Sequence, residues 1–235
     1  MMRFLKHGFK SLKRDRLFSA VNVLGLSLGM FCFLVTSLYV RDELTHDKWH
    51  ENSDRIYVSS RATETVSGYS YSDPPFALHD ALLNESPGVE AIVNIAPAVT
   101  DKFSFIRGYE IADESFESRK VVAAEPSFFK VFDFGLKLGD EETVLTDPKN
   151  AIISSPLAEK HFSGINPIGE FITLKGKGTY TIAGVLKPIP SNSHLLFDVI
   201  IMADLNAHPY SSYKDEWQLS WDTDYVLMQE NYNVE

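Results

Sequence analysis

Residues 18–40 read FSAVNVLGLSLGMFCFLVTSLYV, 23 consecutive positions without a charged side chain. This run constrains the chain more than any other feature. At 1.5 Å per residue a helix of that length covers roughly 34 Å, against a hydrocarbon core of about 30 Å. The run is too long for the apolar region of a cleaved signal peptide, and it ends in Leu-Tyr-Val-Arg-Asp-Glu rather than in a small-residue cleavage site. No polar face interrupts it, so a buried core helix of a soluble domain is disfavoured. A single transmembrane helix is expected over residues 18–40.

The flanks orient it. Arg3, Lys6, Lys10, Lys13, Arg14 and Arg16 precede the run against one acid, Asp15, a net of +5 over residues 1–17; the chain's total of −10 leaves −15 for the remainder. The positive-inside rule puts residues 1–17 in the cytoplasm and residues 41–235 outside. Phe4, Leu5, Gly8, Phe9 and Leu12 fall on one arc of a helix, with Arg3, Lys6, Lys10, Lys13 and Arg14 opposite and Arg16 breaking the segregation. These arcs predict an interfacial helix on the cytoplasmic leaflet; a plain basic flank is the alternative. Within the span, Gly25 and Gly29, with Ser27 nearby, form a G-x-x-x-G in which small residues let a second helix approach closely. Lipid is the first partner, and an acidic bulk excludes nucleic acid.

Beyond the membrane the pattern is α+β. Residues 42–57 could extend the helix outward as a stalk. Residues 76–86 read as a helix capped by Asp73 and closed by Pro87-Gly88. Strands are expected in 89–107, 120–124, 151–153, 171–174, 179–186, 195–202 and 225–228. A helical turn is expected over 126–131. A helix over 156–162 would be capped by Ser154 or Ser155, with Glu159 in or near capping-box range. The expected fold is a mixed-sheet domain over 41–235. The Phe128, Phe129, Val131, Phe132, Phe134 group and the Tyr210, Tyr213, Trp217, Trp221 group read as core rather than as partner surface.

Catalytic signatures are missing. No P-loop occurs, Gly176 and Gly178 belong to a hairpin, and no nucleophile elbow appears. Cys32, the one cysteine, lies in the apolar run. His46, Asp47 and His50 could place two histidines on one helical face, but a solvated stalk explains them better than a metal site. No cofactor and no catalytic or metal residue is expected.

Several stretches carry a family resemblance: NVLGLSLGM at 22–30, WHENSDRIY at 49–57, FFKVFDFGLKLGD at 128–140, NAIISSPLAEKHF at 150–162, NPIGEFITL at 166–174 and YTIAGVLKPIPSNSHLLFDVIIM at 180–202. In their order they resemble the N-terminal part of MacB/FtsX-type ABC transporter permeases. That resemblance implies a spanning helix, a periplasmic core domain incomplete at its C-terminus, and a bacterial inner-membrane location. It implies a second permease copy and a cytoplasmic ABC ATPase subunit as partners, with a periplasmic or outer-membrane protein as a further one. ATP hydrolysis would reside in the separate subunit, and this chain would couple that motion to export or to control of envelope proteins. Because such permeases carry further spanning helices, the chain is expected to be a fragment. The alternative is a membrane-tethered sensor or adaptor without a transport role.

Overall fold

A computed structural model describes residues 16–98, 102–107, 110–115, 121–203, 212, 215–220 and 223–232. The chain separates into two units, Met1–His46 and Asp47–Glu235. The expected interfacial helix, with Arg3, Lys6, Lys10, Lys13 and Arg14, lies outside the described residues. In the first unit, α1 runs without a break from Arg16 to Leu44, 29 residues with none buried. It ends where Thr45 turns back: its amide donates to the Arg41 carbonyl at 3.1 Å and its hydroxyl to the same oxygen at 2.9 Å. Asp47 then takes a left-handed φ of 55°. The expectation of a helical stalk over 42–57 is therefore corrected. Past Leu44 the chain forms turns, a 3-10 turn at Ser53–Arg55 and strand β1 at Ile56–Val58, because Trp49 and His50 have an aromatic core to enter.

The second unit is built on a mixed sheet. Its strands after β1 are β2 (Arg61–Thr65), β3 (Gly68–Ser72), β4 (Val89–Pro97), β5 (Lys102–Arg107), β6 (Glu110–Ser115) and β7 (Val121–Ala124). They continue as β8 (Leu136–Leu138), β9 (Asn150–Ile153), β10 (Phe171–Leu174), β11 (Gly178–Leu186), β12 (Val199–Met202) and β13 (Thr223–Met228). The large sheet is ordered β1-β13-β4-β7-β12-β9-β11-β10-β5-β6, with β8 on β11, and β2-β3 form a separate ribbon. β9 with β11 and β7 with β12 run parallel; the other pairs are antiparallel. This is the α+β class that the sequence pattern predicts.

Two cores explain the runs of adjacent apolar residues in β9 and β12. Ile152 and Ile200 face one core, with Phe128, Phe132, Phe134, Phe197, Tyr225 and Leu227. Their neighbours Ile153, Val199 and Ile201 face the other, with Ile172 and Ile182 and with Leu157 and Phe162 of α4 (Ser155–Phe162). Successive strand residues point to opposite faces, so a strand covered on both sides reads as a continuous apolar run. The phenylalanine group is core as expected: Phe128, in the short helix α3 (Phe128–Val131), is fully buried and stacks on Phe134 at 5.2 Å. Trp217 is not. It is 56% exposed, and Tyr210, Tyr213 and Trp221 lie outside the described residues.

One expected helix cap is replaced and one is met. α2 spans Phe76–Glu85, but its N-cap is Pro75, not Asp73. The first-turn amides of Phe76 and Ala77 donate instead to the carbonyls of Leu219 and Glu216, each at 3.2 Å. A distant strap thus does what a local side chain usually does. At α4, Ser154 is the cap, its hydroxyl accepting from the Leu157 amide at 3.3 Å. No capping box forms, because the third helical position is Leu157; Glu159 pairs with Lys137 at 3.5 Å. The strand expected over 195–202 is confined to β12, since Ser193 and Leu195 bond to each other in a turn. Gly176 and Gly178, at φ of 79° and 118°, make the turn between β10 and β11 as predicted.

Candidate functional site

Two histidine-centred clusters in the second unit gather titratable groups whose ionisation the fold perturbs. The first begins three residues after α1. The Asp47 amide donates to the Asn192 carbonyl at 3.0 Å. Its carboxylate receives the His194 amide at 2.9 Å and the His194 Nδ1 hydrogen at 2.6 Å. His194 Nε2 lies 2.8 Å from the Tyr225 hydroxyl. Burial opposes ionisation of Asp47, yet the hydrogen bonds from the His194 backbone and ring outweigh it and hold the carboxyl below its ordinary range. Burial, reinforced by the Asp47 charge, pushes the Tyr225 phenol up to about 12. That phenol therefore keeps its proton and can donate it to the ring.

Three residues on, His50 is 4% exposed. Its Nδ1 accepts the Asp133 amide hydrogen at 3.1 Å. The Asp133 carboxylate receives the Glu51 amide at 2.8 Å. Trp49 lies against the His50 ring at 3.7 Å between centroids, and Phe134 and Phe132 meet that ring at 5.1 and 5.2 Å. Asp133 Oδ2 is also 3.6 Å from His50 Nδ1, which would suggest an ion pair. The amide contact decides otherwise, because a nitrogen that accepts an N–H carries no proton. Burial agrees, lowering the His50 pKa against the opposing pull of Asp133 and Asp47.

The second cluster ties α2 to the sheet. His79 Nδ1 is 3.3 Å from Asp224 Oδ1, and its Nε2 is 3.5 Å from Glu125 Oε1. Asn94 donates its side-chain amide to Asp224 at 2.8 Å and its backbone amide to Glu125 at 2.7 Å. Burial works against charge on His79, but the Asp224 hydrogen bond and the charges of Glu125, Asp224 and Asp80 raise its pKa overall. Burial raises the Glu125 pKa too, opposed by His79 and by the Asn94 amide.

None of these side chains was singled out as a site from sequence except Asp47 and His50, and they do not share the helical face with His46 that a metal reading requires. Among the described residues no group of His, Cys, Asp or Glu gathers in a metal-holding arrangement. The clusters join residues 145 and 147 positions apart, a separation that carries no local signal. In α1, Gly25, Ser27 and Gly29 are all exposed, and a Cβ at either glycine would meet no atom within 4 Å. At 100° per residue the two glycines lie about 40° apart, while Ser27 falls on the far side of the helix. Arg16 is the first residue of α1 and is exposed.

The profile of the MacB-like periplasmic core domain family matches residues 19–234. The fold is similar to a domain of a candidate permease protein from Porphyromonas gingivalis (21% identity, TM-score 0.60, covering 78% of this chain and 77% of that one). It also matches, at lower TM-scores, the periplasmic region of MacB from Actinobacillus actinomycetemcomitans (13% identity, 0.48, 77% of each chain). A third match is the extracellular domain of the noncanonic ABC-type transporter YknZ from Gram-positive bacteria (18% identity, 0.40, 63% and 70%). No curated protein matches the chain.

Proposed function

We propose, from the premise that this chain belongs to the MacB-like periplasmic core domain family, that it couples the motion of membrane helices to its external domain on behalf of a separate ATPase. The family is one of ABC transporter permease components, not of enzymes. In this reading residues 18–40 span the inner membrane, residues 1–17 with their basic side chains face the cytoplasm, and residues 41–235 face the periplasm. The Gly25–Gly29 face of α1 receives a neighbouring helix, from a second permease copy or from further spans. The coupled process is export or the control of envelope proteins.

One observation carries the coupling. The family match runs through the apolar helix and the domain alike, and only Thr45 and His46 separate the end of α1 from the start of the domain unit. A long flexible linker would dissipate displacement, whereas a connection of two residues has little slack. Extraction from native membranes in mild detergent, with identification of what co-purifies, tests the reading. Retention of a P-loop ATPase subunit is expected. Purification from membranes with no ATPase bound, across several mild detergents, would contradict it.

A further inference from the structure

The domain grips the chain just past α1 at two points, and the two differ in chemistry. At the first, the Asp47 carboxylate holds the backbone and ring of His194. At the second, the buried His50 ring serves only as an acceptor, taking the Asp133 amide hydrogen on Nδ1. Its proton therefore sits on Nε2, which is buried without a partner among the described residues. Two attachment points fix both position and direction; one fixes position only.

A proton added to His50 has to go on Nδ1. The contact with the Asp133 amide then becomes two N–H groups facing each other, and a charge enters a site walled by Trp49, Phe132 and Phe134. The ionisable groups facing the ring are Asp133, Asp47 and His194; Lys48 and Glu51 flank it in the chain. Asp133 offers the nearest counter-charge, but its side chain is 40% exposed and its Oδ2 is already held by the Glu51 amide. Screening by water weakens what it can offer.

We infer that protonation of His50 expels its ring and frees residues 49–52 while Asp47 stays attached to His194, turning a two-point grip into a one-point hinge in mild acid. The order of release follows from the two groups. Burial puts the protonation of His50 below the ordinary histidine value of 6.5, whereas Asp47 stays ionised to below the ordinary carboxylate range. The release rests on the domain's own geometry; its consequence, a coupling that stiffens as pH rises, rests also on the function proposed above.

Amide hydrogen exchange on the full chain in lipid nanodiscs, corrected for the intrinsic pH dependence, tests the release without reference to transport. Between about pH 7.5 and about pH 5, protection of the Glu51 and Asp133 amides is expected to fall about tenfold or more, while the His194 amide and those of β9 and β12 keep theirs. His50→Asn supplies an acceptor oxygen near the Nδ1 position and cannot titrate, so it should abolish the acid response. Equal protection of the wild-type chain at both pH values, or an acid response that survives in His50→Asn, overturns the inference. Should that variant misfold, ring 15N shifts of His50 in the wild-type chain decide. The Nε2–H tautomer at neutral pH, giving way to the charged ring together with the loss of protection, supports it. A proton on Nδ1 at neutral pH, or a charged ring with protection intact, refutes it.

Discussion

His50 and His79 sit in the same domain and require opposite protonation states. His50 is an acceptor among aromatic rings, so the fold favours its neutral form. His79 has a carboxylate at each nitrogen, so the fold favours its charged form. Linkage turns this contrast into opposite slopes. Because the folded-state pKa of His50 lies below 6.5, its contribution is complete above that value and is lost as pH falls through the lowered pKa. Because that of His79 lies above 6.5, its contribution is complete below that value and is lost as pH rises through the raised pKa. Burial fixes the size of such effects, but the identity of the neighbouring atom decides the direction.

The largest effect expected is from Asp224→Ala. The Asp224 side chain is 3% exposed and serves both His79 and Asn94, so its loss leaves buried groups unpaired, at a cost of about 3 kcal/mol or more in urea unfolding. The variant should also lose the decline of stability above neutrality while keeping the decline below it. Next, His50→Ala removes a ring contact and strands the Asp133 amide, for about 2 kcal/mol. This variant should lose the decline on the acid side and keep the alkaline one; an exchange of the two profiles would contradict a neutral His50 and a charged His79. Asp47→Asn weakens a charge-assisted bond on a half-buried carboxylate, about 1 kcal/mol, with little change in either slope above pH 5 or so. Lys137→Ala removes an exposed pair with Glu159 and should shift stability by no more than about 0.5 kcal/mol at any pH.

Much of the fold was legible where a residue's role depends on near neighbours. The paired apolar positions of β9 and β12, the Gly176 turn and the Ser154 cap each leave a mark within a few residues. The clusters left none. Asp47 meets His194, and His79 meets Asp224, only after β-strands from across the chain have been laid side by side. The Asp73 cap failed for the same reason: the amides it would have served were taken by residues 216 and 219. Trp217 misled because aromatic composition signals burial only on average, and this ring lies on an exposed strap. Polar residues between apolar ones in residues 42–57 resemble a helix surface. Nothing local announces that His50 turns inward.

The orientation on which all of this depends can be tested at one position. Val66, in the turn between β2 and β3, is fully exposed, and Cys32 is the sole native cysteine. A Cys32→Ser, Val66→Cys chain in intact spheroplasts, treated with a membrane-impermeant maleimide, should be labelled as fully as after lysis. Labelling that appears only once the membrane is broken would place the domain in the cytoplasm and contradict the account.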